Sequence, residues 1–557
     1  MPVYRMPYWN DCKILKGKTM NIQEYYKGKR VLLTGTTGFL GKVVLEKLLW
    51  ESPDLEKIIL LVRPSKDKGF TREGALSRFE KDILPSGIFD RLRKREKDFL
   101  SFMQKKIDAV PCDLFQDDLG IPETERQAVF GGLDAIIHVA AQVSWDERLD
   151  YSIRVNSLAT KRLLEFGKEV TPHPRFVYIS SAYVNGKRSG KVMERPFDPN
   201  QSIANELGQK IPFSLEDEIN AAFSYAKTVE KETYGAAMQQ QFKKEAKFQL
   251  GCRDDICHSL EEQIEVLRKK HIHSQMSDYG IQRANLHGWT DSYCLSKAMG
   301  EMLLVKHQGN VPLAIVRPPG ITSAVKDPSP GWLEGFHLVE PLIVGMGKGL
   351  IKAFPGSEKS LIDTVPVDYV VSLIVTACAV LTDASKPYVY QIGTSQTNPI
   401  TLSEISRIWR SYFDKDPMKS DRGKPVQVRP IKFYKSPEAF NQKIQWQYLY
   451  PLCFAEKALM KCQFAKSVKS YRNMMGWVTK SRKRAERVCR FSDLYSAYTM
   501  NSWVFCTDNS MELFKKLSPA DQVSFDFDTS KLNWNHFWNE IHIPGMKKYV
   551  LKETRQS

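Results

Sequence analysis

An apolar run near the start of the chain breaks into a glycine-spaced turn and continues as a helical pattern. Residues 31–33 read Val-Leu-Leu, the turn carries Gly35, Gly38 and Gly41, and residues 42–49 read Lys-Val-Val-Leu-Glu-Lys-Leu-Leu. Gly35 permits a sharp turn out of the strand, Gly38 removes a side chain that would block a pyrophosphate, and Gly41 lets the helix pack closely on the strand. The phosphates would meet free N–H groups at the positive end of the helix dipole. This strand–turn–helix context predicts a dinucleotide-binding site.

Further strand-like runs alternate with helical segments along the first two thirds of the chain. They cover residues 57–63, 107–114, 134–141, 175–181 and 312–320. Such alternation predicts an α/β fold with a doubly wound, Rossmann-type parallel sheet, whose ligands bind at the carboxyl ends of the strands. The apolar stretch 365–381 is interrupted by Asp368 and is too short to span a membrane, so it predicts a buried core helix.

A chain of 557 residues is too long for a single compact core, and its composition changes along its length. We expect an N-terminal extension over residues 1–28 and a dinucleotide-binding domain over residues 29–400. The stretch from about 195 to 288 is rich in Lys, Glu and Gln and predicts a helical insertion in that domain. Residues 401–557 are basic and aromatic-rich, which predicts a second, mainly helical C-terminal domain.

The spacing Thr-Gly-x-x-Gly-x-x-Gly of residues 34–41 resembles that of the extended short-chain dehydrogenase/reductase family. Such enzymes need a Tyr-x-x-x-Lys pair on a helix, and Tyr293 and Lys297 supply it. A spacing of four places both side chains on one helix face. Ser180 and Ser181 end the fifth predicted strand and provide hydroxyl groups near the same sheet edge.

Several sequence blocks narrow the resemblance to the alcohol-forming fatty acyl-CoA reductases, in their plant-type branch. This chain departs from the family pattern in two places. It has Ser180-Ser181 where the family commonly has Ser-Thr, a change that keeps the hydroxyl. Its residues 1–28 have no recognisable counterpart in the family. The blocks that carry the resemblance are residues 34–42, 180–196, 287–301, 317–321, 328–332, 363–368, 495–498 and 526–531.

This resemblance implies reduction of a long-chain acyl-CoA to a primary alcohol with NADPH, through a bound aldehyde and with release of CoA. Tyr293 would hydrogen-bond the oxyanion and supply its proton, with Ser181 as a second donor. Lys297 would lower the pKa of Tyr293 from its usual value near ~10 and would hold the nicotinamide ribose. The implied location is intracellular, at the cytosolic face of the endoplasmic reticulum, with plastid or peroxisome as alternatives.

The second predicted strand ends in Arg63 rather than in an acidic residue, and a cation there suits the 2′-phosphate of NADP(H). The alternative is a solvated loop arginine. His138, within the fourth strand, is expected to be structural. The predicted cofactor-binding residues are Thr34, Gly35, Thr37, Gly38, Phe39, Leu40, Gly41, Arg63, Asp113, Leu114, Ala140, Ala141, Asn156, Ser180, Tyr293, Lys297 and Pro318.

A net charge of +17 favours anionic partners, namely nucleic acid, lipid headgroups or a phosphate-bearing small molecule. The chain has no nucleic-acid-binding motif with interleaved aromatic residues, so we expect no nucleic acid. Ten cysteines without a framework spacing predict a reducing compartment. We expect no metal, because the one conceivable cluster matches no zinc spacing; its members are Cys252, Cys257, His258, His271 and His273.

A basic stretch in the C-terminal region has three possible ligands: the acyl chain, the CoA phosphates or an anionic membrane surface. A simply solvated basic helix is an equal alternative. The stretch comprises Lys461, Lys466, Lys469, Arg472, Lys480, Arg482, Lys483, Arg484 and Arg487.

Two other functions stay open. A hydroxysteroid dehydrogenase or nucleotide-sugar epimerase would use the same tyrosine, lysine and serine. A dinucleotide-binding scaffold without turnover would not need the Tyr293 and Lys297 pair, which this chain retains.

Overall fold

The computed structural model of the chain describes residues 21–251, 259–420, 423–461 and 469–553. Its strands fall into one large sheet and several two-stranded ladders. In chain order the strands are β1 (Arg30–Thr34), β2 (Lys57–Val62), β3 (Ile107–Pro111), β4 (Ala135–His138), β5 (Arg175–Ile179), β6 (Gly190–Val192), β7 (Leu313–Arg317), β8 (Gly320–Thr322), β9 (Ala353–Pro355), β10 (Thr364–Pro366), β11 (Tyr388–Gln391), β12 (Lys432–Tyr434) and β13 (Trp503–Phe505).

The large sheet has seven parallel strands in the order β11–β7–β5–β4–β1–β2–β3. The chain starts at the central β1, moves outward to β3 and returns to β4, so the order reverses between β1 and β4. This reversal is the point at which doubly wound sheets bind their ligands. The predicted Rossmann-type α/β fold is confirmed. Strand β11 was not predicted, because Tyr388–Gln391 is a short run without a continuous apolar pattern.

Helices cover both faces of this sheet, as the doubly wound fold requires. In chain order they are α1 (Ile22–Tyr26), α2 (Phe39–Glu51), α3 (Arg72–Arg78), α4 (Asp90–Arg95), α5 (Phe99–Lys106), α6 (Glu123–Phe130), α7 (Leu149–Ile153), α8 (Ala159–Val170), α9 (Ile203–Glu206), α10 (Leu215–Glu232), α11 (Ala236–Gly251), α12 (Leu260–Leu286), α13 (Ser292–His307), α14 (Glu340–Gly347), α15 (Val367–Val380), α16 (Leu402–Lys415), α17 (Pro437–Ile444), α18 (Tyr450–Lys461), α19 (Lys469–Thr499), α20 (Asp508–Lys515), α21 (Pro519–Ser524), α22 (Trp534–His536) and α23 (Ile543–Tyr549).

Alternate residues of each strand enter two separate cores. In β1, Val31 and Leu33 pack with α2 and α15, whereas Leu32 packs on the opposite face with α6 and α8. Every residue of α15 is buried, so the predicted core helix is confirmed. None of the helices in the described ranges is long and apolar enough to cross a bilayer.

The end of the predicted N-terminal extension belongs to the core instead. Ile22 and Tyr26 of α1 are fully buried, and the Tyr26 hydroxyl donates a 2.8 Å hydrogen bond to the carbonyl of Val375 in α15. Residues 1–20 lie outside the described ranges. The correction arises because α1 is a single short turn, too brief to show a helical period in the sequence.

The C-terminal region is mainly helical, but it also contributes strands. β13 pairs in parallel with β6, and β12 pairs with β9, so both strands join elements from the first 400 residues. The Trp503 indole of β13 donates to the carbonyl of Arg188 at 2.7 Å. These strands are only three residues long, so the sequence pattern that predicts a mainly helical domain gives no sign of them.

Candidate active site

The glycine turn after β1 has a different requirement at each glycine. Gly35 has φ +78°, and a Cβ on it would lie 2.7 Å from the backbone nitrogen of Ala140. A Cβ on Gly41 would lie 2.2 Å from the carbonyl oxygen of Gly35, whereas a Cβ on Gly38 would approach that same oxygen only to 3.4 Å. Gly35 and Gly41 are therefore required by the packing of the turn. Gly38 instead leaves space at the start of α2, where a phosphate would lie.

The turn opens into a cleft of about 1240 Å³ at the carboxyl edge of the sheet. The insertion contributes His273 of α12 to its wall, and the C-terminal region contributes Arg487, Arg490 and Tyr495 of α19. The cleft brings together most of the predicted site residues, namely Gly35, Thr37, Gly38, Phe39, Leu40, Gly41, Arg63, Leu114, Ala140, Ala141, Ser180, Ser181, Tyr293, Lys297 and Pro318.

Three predicted cofactor-binding residues do not line the cleft but support its wall. The Thr34 hydroxyl accepts a 3.1 Å hydrogen bond from the backbone N–H of Ala140. The Asn156 side chain is buried and exchanges hydrogen bonds with the backbone of Gln142. The Asp113 carboxylate accepts from a backbone N–H two residues further on. Polar atoms of Thr34, Asn156 and Asp113 thus support the loops of the cleft, and their cofactor-binding roles stay predictions.

The helix that carries Tyr293 and Lys297 begins at a buried N-cap. The Asp291 carboxylate accepts from the Cys294 backbone N–H at 2.8 Å, which satisfies one of the free donors of the first turn of α13. The hydroxyl of Tyr498, on α19, donates to the same carboxylate at 2.7 Å. The C-terminal region thus anchors the start of α13. No sequence signal could have revealed this contact, since 207 residues separate its partners.

Lys297 is almost fully buried beneath the cleft floor. Its ammonium nitrogen donates to the Ile179 carbonyl at 2.5 Å and lies 4.2 Å from the ring centroid of Tyr178. Burial lowers the pKa of Lys297 to about 7, and the nearby Glu301 carboxylate raises it in part. The lysine is consequently balanced between its charged and neutral forms near neutral pH.

The environment of Tyr293 contradicts the expected lowering of its pKa by Lys297. Burial raises the pKa of Tyr293, and charge on Cys294 and Asp291 raises it further, while a hydrogen bond with Ser181 lowers it. Burial has the largest influence because a phenolate loses its hydration there. Tyr293 is therefore a neutral phenol that holds its proton at physiological pH.

Two buried hydroxyls in the cleft wall fit a bound dinucleotide. Thr36 Oγ1 and Ser180 Oγ both lie in the lining, and neither has a hydrogen-bond partner within the described ranges. Unpaired buried polar groups are costly, so they indicate a polar ligand that pairs with them. The residues of the glycine turn and of the end of β5 thus suit a bound dinucleotide.

Cations line the cleft beyond β2, next to the predicted position of the adenosine ribose. Arg63 lies there, as predicted, with its guanidinium 5.8 Å from the Phe115 ring centroid. Arg78, which the sequence analysis missed, also lines the cleft and donates to the Arg63 carbonyl at 3.2 Å. Arg78 sits in the charged helix α3, where nothing in the sequence distinguishes it from its neighbours.

His138 has the structural role expected of it. Its ring nitrogens lie 2.8 Å from the Thr34 hydroxyl and 3.1 Å from the Thr160 hydroxyl. Burial lowers the pKa of His138 to about 3, with a smaller contribution from Lys297. The ring therefore stays neutral and ties β4 to β1 and α8.

Part of the conceivable metal cluster, namely Cys252, Cys257 and His258, lies outside the described residues. The parts of the chain that the structure describes hold no group of three metal-ligating side chains. Lys466 also falls outside those parts, and so do the side chains of Lys461, Lys469 and Arg472.

Comparisons with known proteins agree over nearly the whole chain. A family model for an NAD-binding domain, described as male sterility protein, matches residues 33–374, and a second model of the same description matches residues 462–553. Probable fatty acyl-CoA reductase 5 of Arabidopsis thaliana is 32% identical over 96% of this chain and 100% of its own length. The alcohol-forming fatty acyl-CoA reductase of Simmondsia chinensis is 29% identical over 95% of this chain and 99% of its own.

A solved structure supports the fold. The terminal R domain from the myxalamid PKS-NRPS biosynthetic pathway has a TM-score of 0.53 at 15% identity, over 94% of this chain and 91% of that one. The NAD-binding family match and the glycine turn together assign a nicotinamide dinucleotide to the cleft. The chain therefore belongs to the male sterility protein family, the family of the fatty acyl-CoA reductases.

Proposed function

We propose that this protein reduces long-chain fatty acyl-CoA to a primary alcohol with NADPH, releasing CoA and passing through a bound aldehyde. One observation carries the proposal: Tyr293, Ser181 and Lys297 lie in the same cleft as the glycine turn, in a chain of this family. We further propose that residues 29–400 form the dinucleotide-binding domain and residues 401–557 the C-terminal domain.

The cofactor would lie along the carboxyl ends of β1, β4 and β5. The N–H groups at the start of α2 would take the pyrophosphate, and Ser180 and Thr36 would supply hydroxyls. Arg63 and Arg78 favour NADPH over NADH, because two guanidinium groups suit a 2′-phosphate. Replacement of Arg63 by Glu is expected to raise the KM for NADPH more than that for NADH; equal changes for both would argue against this assignment.

When bound, the reduced nicotinamide supplies one hydride to the thioester carbon and, after exchange, one to the aldehyde carbon. Each addition places negative charge on the carbonyl oxygen, which Tyr293 and Ser181 stabilise by hydrogen bonds. The Tyr293 phenol keeps its proton at physiological pH, and it would give that proton to the alkoxide formed from the aldehyde, which is a stronger base than a phenolate. Collapse of the first adduct breaks the carbon–sulfur bond and expels CoA thiolate.

Lys297 restores the proton that Tyr293 loses. With a pKa of about 7, its buried ammonium can release a proton near neutral pH, which an unperturbed lysine does not do. The Ile179 carbonyl fixes the direction of this amine. We propose that Lys297 also binds the nicotinamide ribose, as the family resemblance implies.

The CoA phosphates would bind at the wall formed by α19. Arg487 is exposed and Arg490 is half-buried, and both line the cleft that contains Tyr293. Guanidinium groups bind phosphate in a bidentate manner, which supports this orientation of the substrate. Arg490 also forms an ion pair with Asp146 at 3.4 Å and donates to the Ser277 hydroxyl at 2.8 Å, so a phosphate would compete with these partners. Arg482 of the predicted basic stretch is engaged by Glu456 at 2.6 Å.

Contact with an anionic membrane surface is also proposed for α18, α19 and the helical turn of residues 445–449 that precedes α18. Trp446, Phe454 and Trp477 leave 72%, 77% and 65% of their surfaces exposed, beside the exposed Lys480 and Lys483. Exposed aromatic side chains mixed with cations are typical of helices that lie in the bilayer interface. We propose the cytosolic face of the endoplasmic reticulum as the location, with plastid or peroxisome as alternatives.

The decisive assay for this function is incubation with hexadecanoyl-CoA and NADPH, followed by chromatography for hexadecanol. Tyr293→Phe should lose at least about a hundredfold in kcat, because it removes the proton donor. The matched control Tyr234→Phe changes an exposed tyrosine of the insertion and should behave as wild type. Turnover of a hydroxysteroid or nucleotide sugar instead, or unchanged biological activity in Tyr293→Phe, would support one of the alternative functions.

A further inference from the structure

A second, apolar cavity lies next to the cleft. It has a volume of about 70 Å³, and its wall combines residues of α14, α16 and α19 with residues of β9, β12, β13 and the loop that precedes β10. Leu342, Ile405, Trp409 and Phe433 are among its lining residues, and they come mainly from the C-terminal region. The cavity is narrow and lies within the hydrophobic core that joins this region to the sheet domain.

Three side chains separate this cavity from the cleft, because Tyr183, Leu338 and Tyr495 line both spaces. The Tyr183 hydroxyl donates to the carbonyl of Asp363 at 3.2 Å, and the Tyr495 hydroxyl donates to the carbonyl of Leu338 at 3.0 Å. With both hydroxyls paired in this way, the two rings offer apolar faces to the spaces on either side. The partition therefore combines two rings and one aliphatic side chain.

The single carboxylate in the lining is not available to a ligand. The Asp363 oxygens accept hydrogen bonds from the backbone N–H groups of Thr394 and Ser395, at 2.8 and 3.0 Å. A charged or strongly polar ligand would find little to pair with here, whereas a hydrocarbon end would lose only its contact with water. The lining thus favours an apolar group over a sugar or a steroid hydroxyl.

We infer that this cavity receives the methyl end of the acyl chain and thereby sets the chain-length preference of the enzyme. The inference rests on the proposed function. The thioester lies at Tyr293, the chain follows the cleft, and its last carbons pass the Tyr183, Leu338 and Tyr495 partition. Because the cavity is small, a chain must have the right length to fill it.

Filling the cavity tests the inference. Ser406 lies half-buried in its wall, on α16, and Ser406→Phe would occupy the space with a ring. Ser403→Phe is the matched control, because Ser403 lies one turn earlier on α16 and does not line the cavity. The readout is kcat/KM for octadecanoyl-CoA relative to dodecanoyl-CoA, measured with NADPH in the full chain. Ser406→Phe should lower this ratio at least about tenfold, and Ser403→Phe should keep it.

Enlarging the cavity is the complementary experiment, and it keeps the inference testable if Ser406→Phe does not fold. Leu342→Ala should raise the same ratio, since removal of a half-buried side chain makes room for a longer chain end. Unchanged ratios in both Ser406→Phe and Leu342→Ala would overturn the cavity inference while leaving the proposed function intact. No reduction of any acyl-CoA by the wild type would instead overturn the proposed function itself.

Discussion

Replacement of Gly38 by Ala should separate cofactor binding from folding. The Gly38 φ of −95° is ordinary for any residue, and the added methyl would approach the protein only to 3.4 Å, at the Gly35 carbonyl oxygen. As Gly38 is the N-cap of α2 without a side-chain cap, alanine should cost roughly 1 kcal/mol or less of unfolding free energy. The methyl instead points into the space that the pyrophosphate needs.

The expected effect on binding follows from that crowding. Insertion of one methyl into a filled site costs about 1 to 3 kcal/mol, which corresponds to about a 5- to 150-fold rise in the Kd for NADPH. The assay is a fluorescence titration of the nucleotide beside urea unfolding of the same preparation. Gly35→Ala is the contrasting variant, because its φ of +78° and its 2.7 Å approach to Ala140 predict a loss of about 2 to 5 kcal/mol in stability.

Two outcomes would refute this reasoning. Gly38→Ala with wild-type affinity for NADPH would mean that the phosphates do not lie at the start of α2. A stability loss in Gly38→Ala as large as that in Gly35→Ala would mean that the turn packs differently from the structure.

Three further predictions follow from buried charge and exposed apolar surface. The pKa of Lys297 is lowered from 10.5 to about 7, so between these pH values the unfolded chain binds more protons than the folded one and stability rises with pH. Relative to Lys297→Met, the free energy of urea unfolding of the wild type should rise by up to about 1.4 kcal/mol per pH unit above about pH 7. Parallel curves of unfolding free energy against pH for the two proteins would contradict this. The Arg317 guanidinium donates two hydrogen bonds of 2.9 and 2.5 Å to the Glu301 carboxylate of α13, and both side chains are buried. Arg317→Met should lower the free energy of urea unfolding by about 3 to 5 kcal/mol, because it leaves the buried Glu301 carboxylate unpaired. The Arg317→Met/Glu301→Leu double variant should recover most of that loss, since it removes the unpaired charge. The fraction of protein that sediments with vesicles of phosphatidylcholine and phosphatidylserine should fall at least about tenfold in a Trp446→Ser/Phe454→Ser/Trp477→Ser variant. Leu350→Ser is the control, because it changes a 73% exposed side chain outside these helices and should keep wild-type sedimentation. Equal vesicle binding by the two variants would refute the membrane proposal.

Local signals account for the parts of the site that the sequence predicts. The glycine turn and the Tyr293 and Lys297 spacing depend on neighbours within a few residues, so their geometry follows from backbone rules alone. The continuous apolar runs of the sheet are similarly local. Each of these features therefore lies where the sequence analysis expected it.

Contacts between distant segments account for what the sequence analysis missed. The bond from Tyr498 to Asp291, the pairing of β13 with β6, and the placement of Arg490 in the cleft all join residues more than two hundred positions apart. The raised pKa of Tyr293 is of the same kind, because it depends mainly on the burial of the phenol by distant segments rather than on the lysine four residues away. Thr34 and Asn156 show the converse, since polar residues beside a ligand site can serve the wall behind it.

The central claim is that NADPH delivers both hydrides to the thioester carbon of the acyl-CoA with Tyr293 as the proton donor. The most direct test follows deuterium from the nucleotide to the product. Hexadecanoyl-CoA is incubated with the enzyme and NADPH whose nicotinamide C4 carries deuterium on the transferable face, and the hexadecanol is analysed by mass spectrometry. We predict hexadecanol with two deuterium atoms on its first carbon, formed by the wild type and lost in Tyr293→Phe. Unlabelled hexadecanol, or labelled product at the wild-type rate from Tyr293→Phe, would contradict the claim.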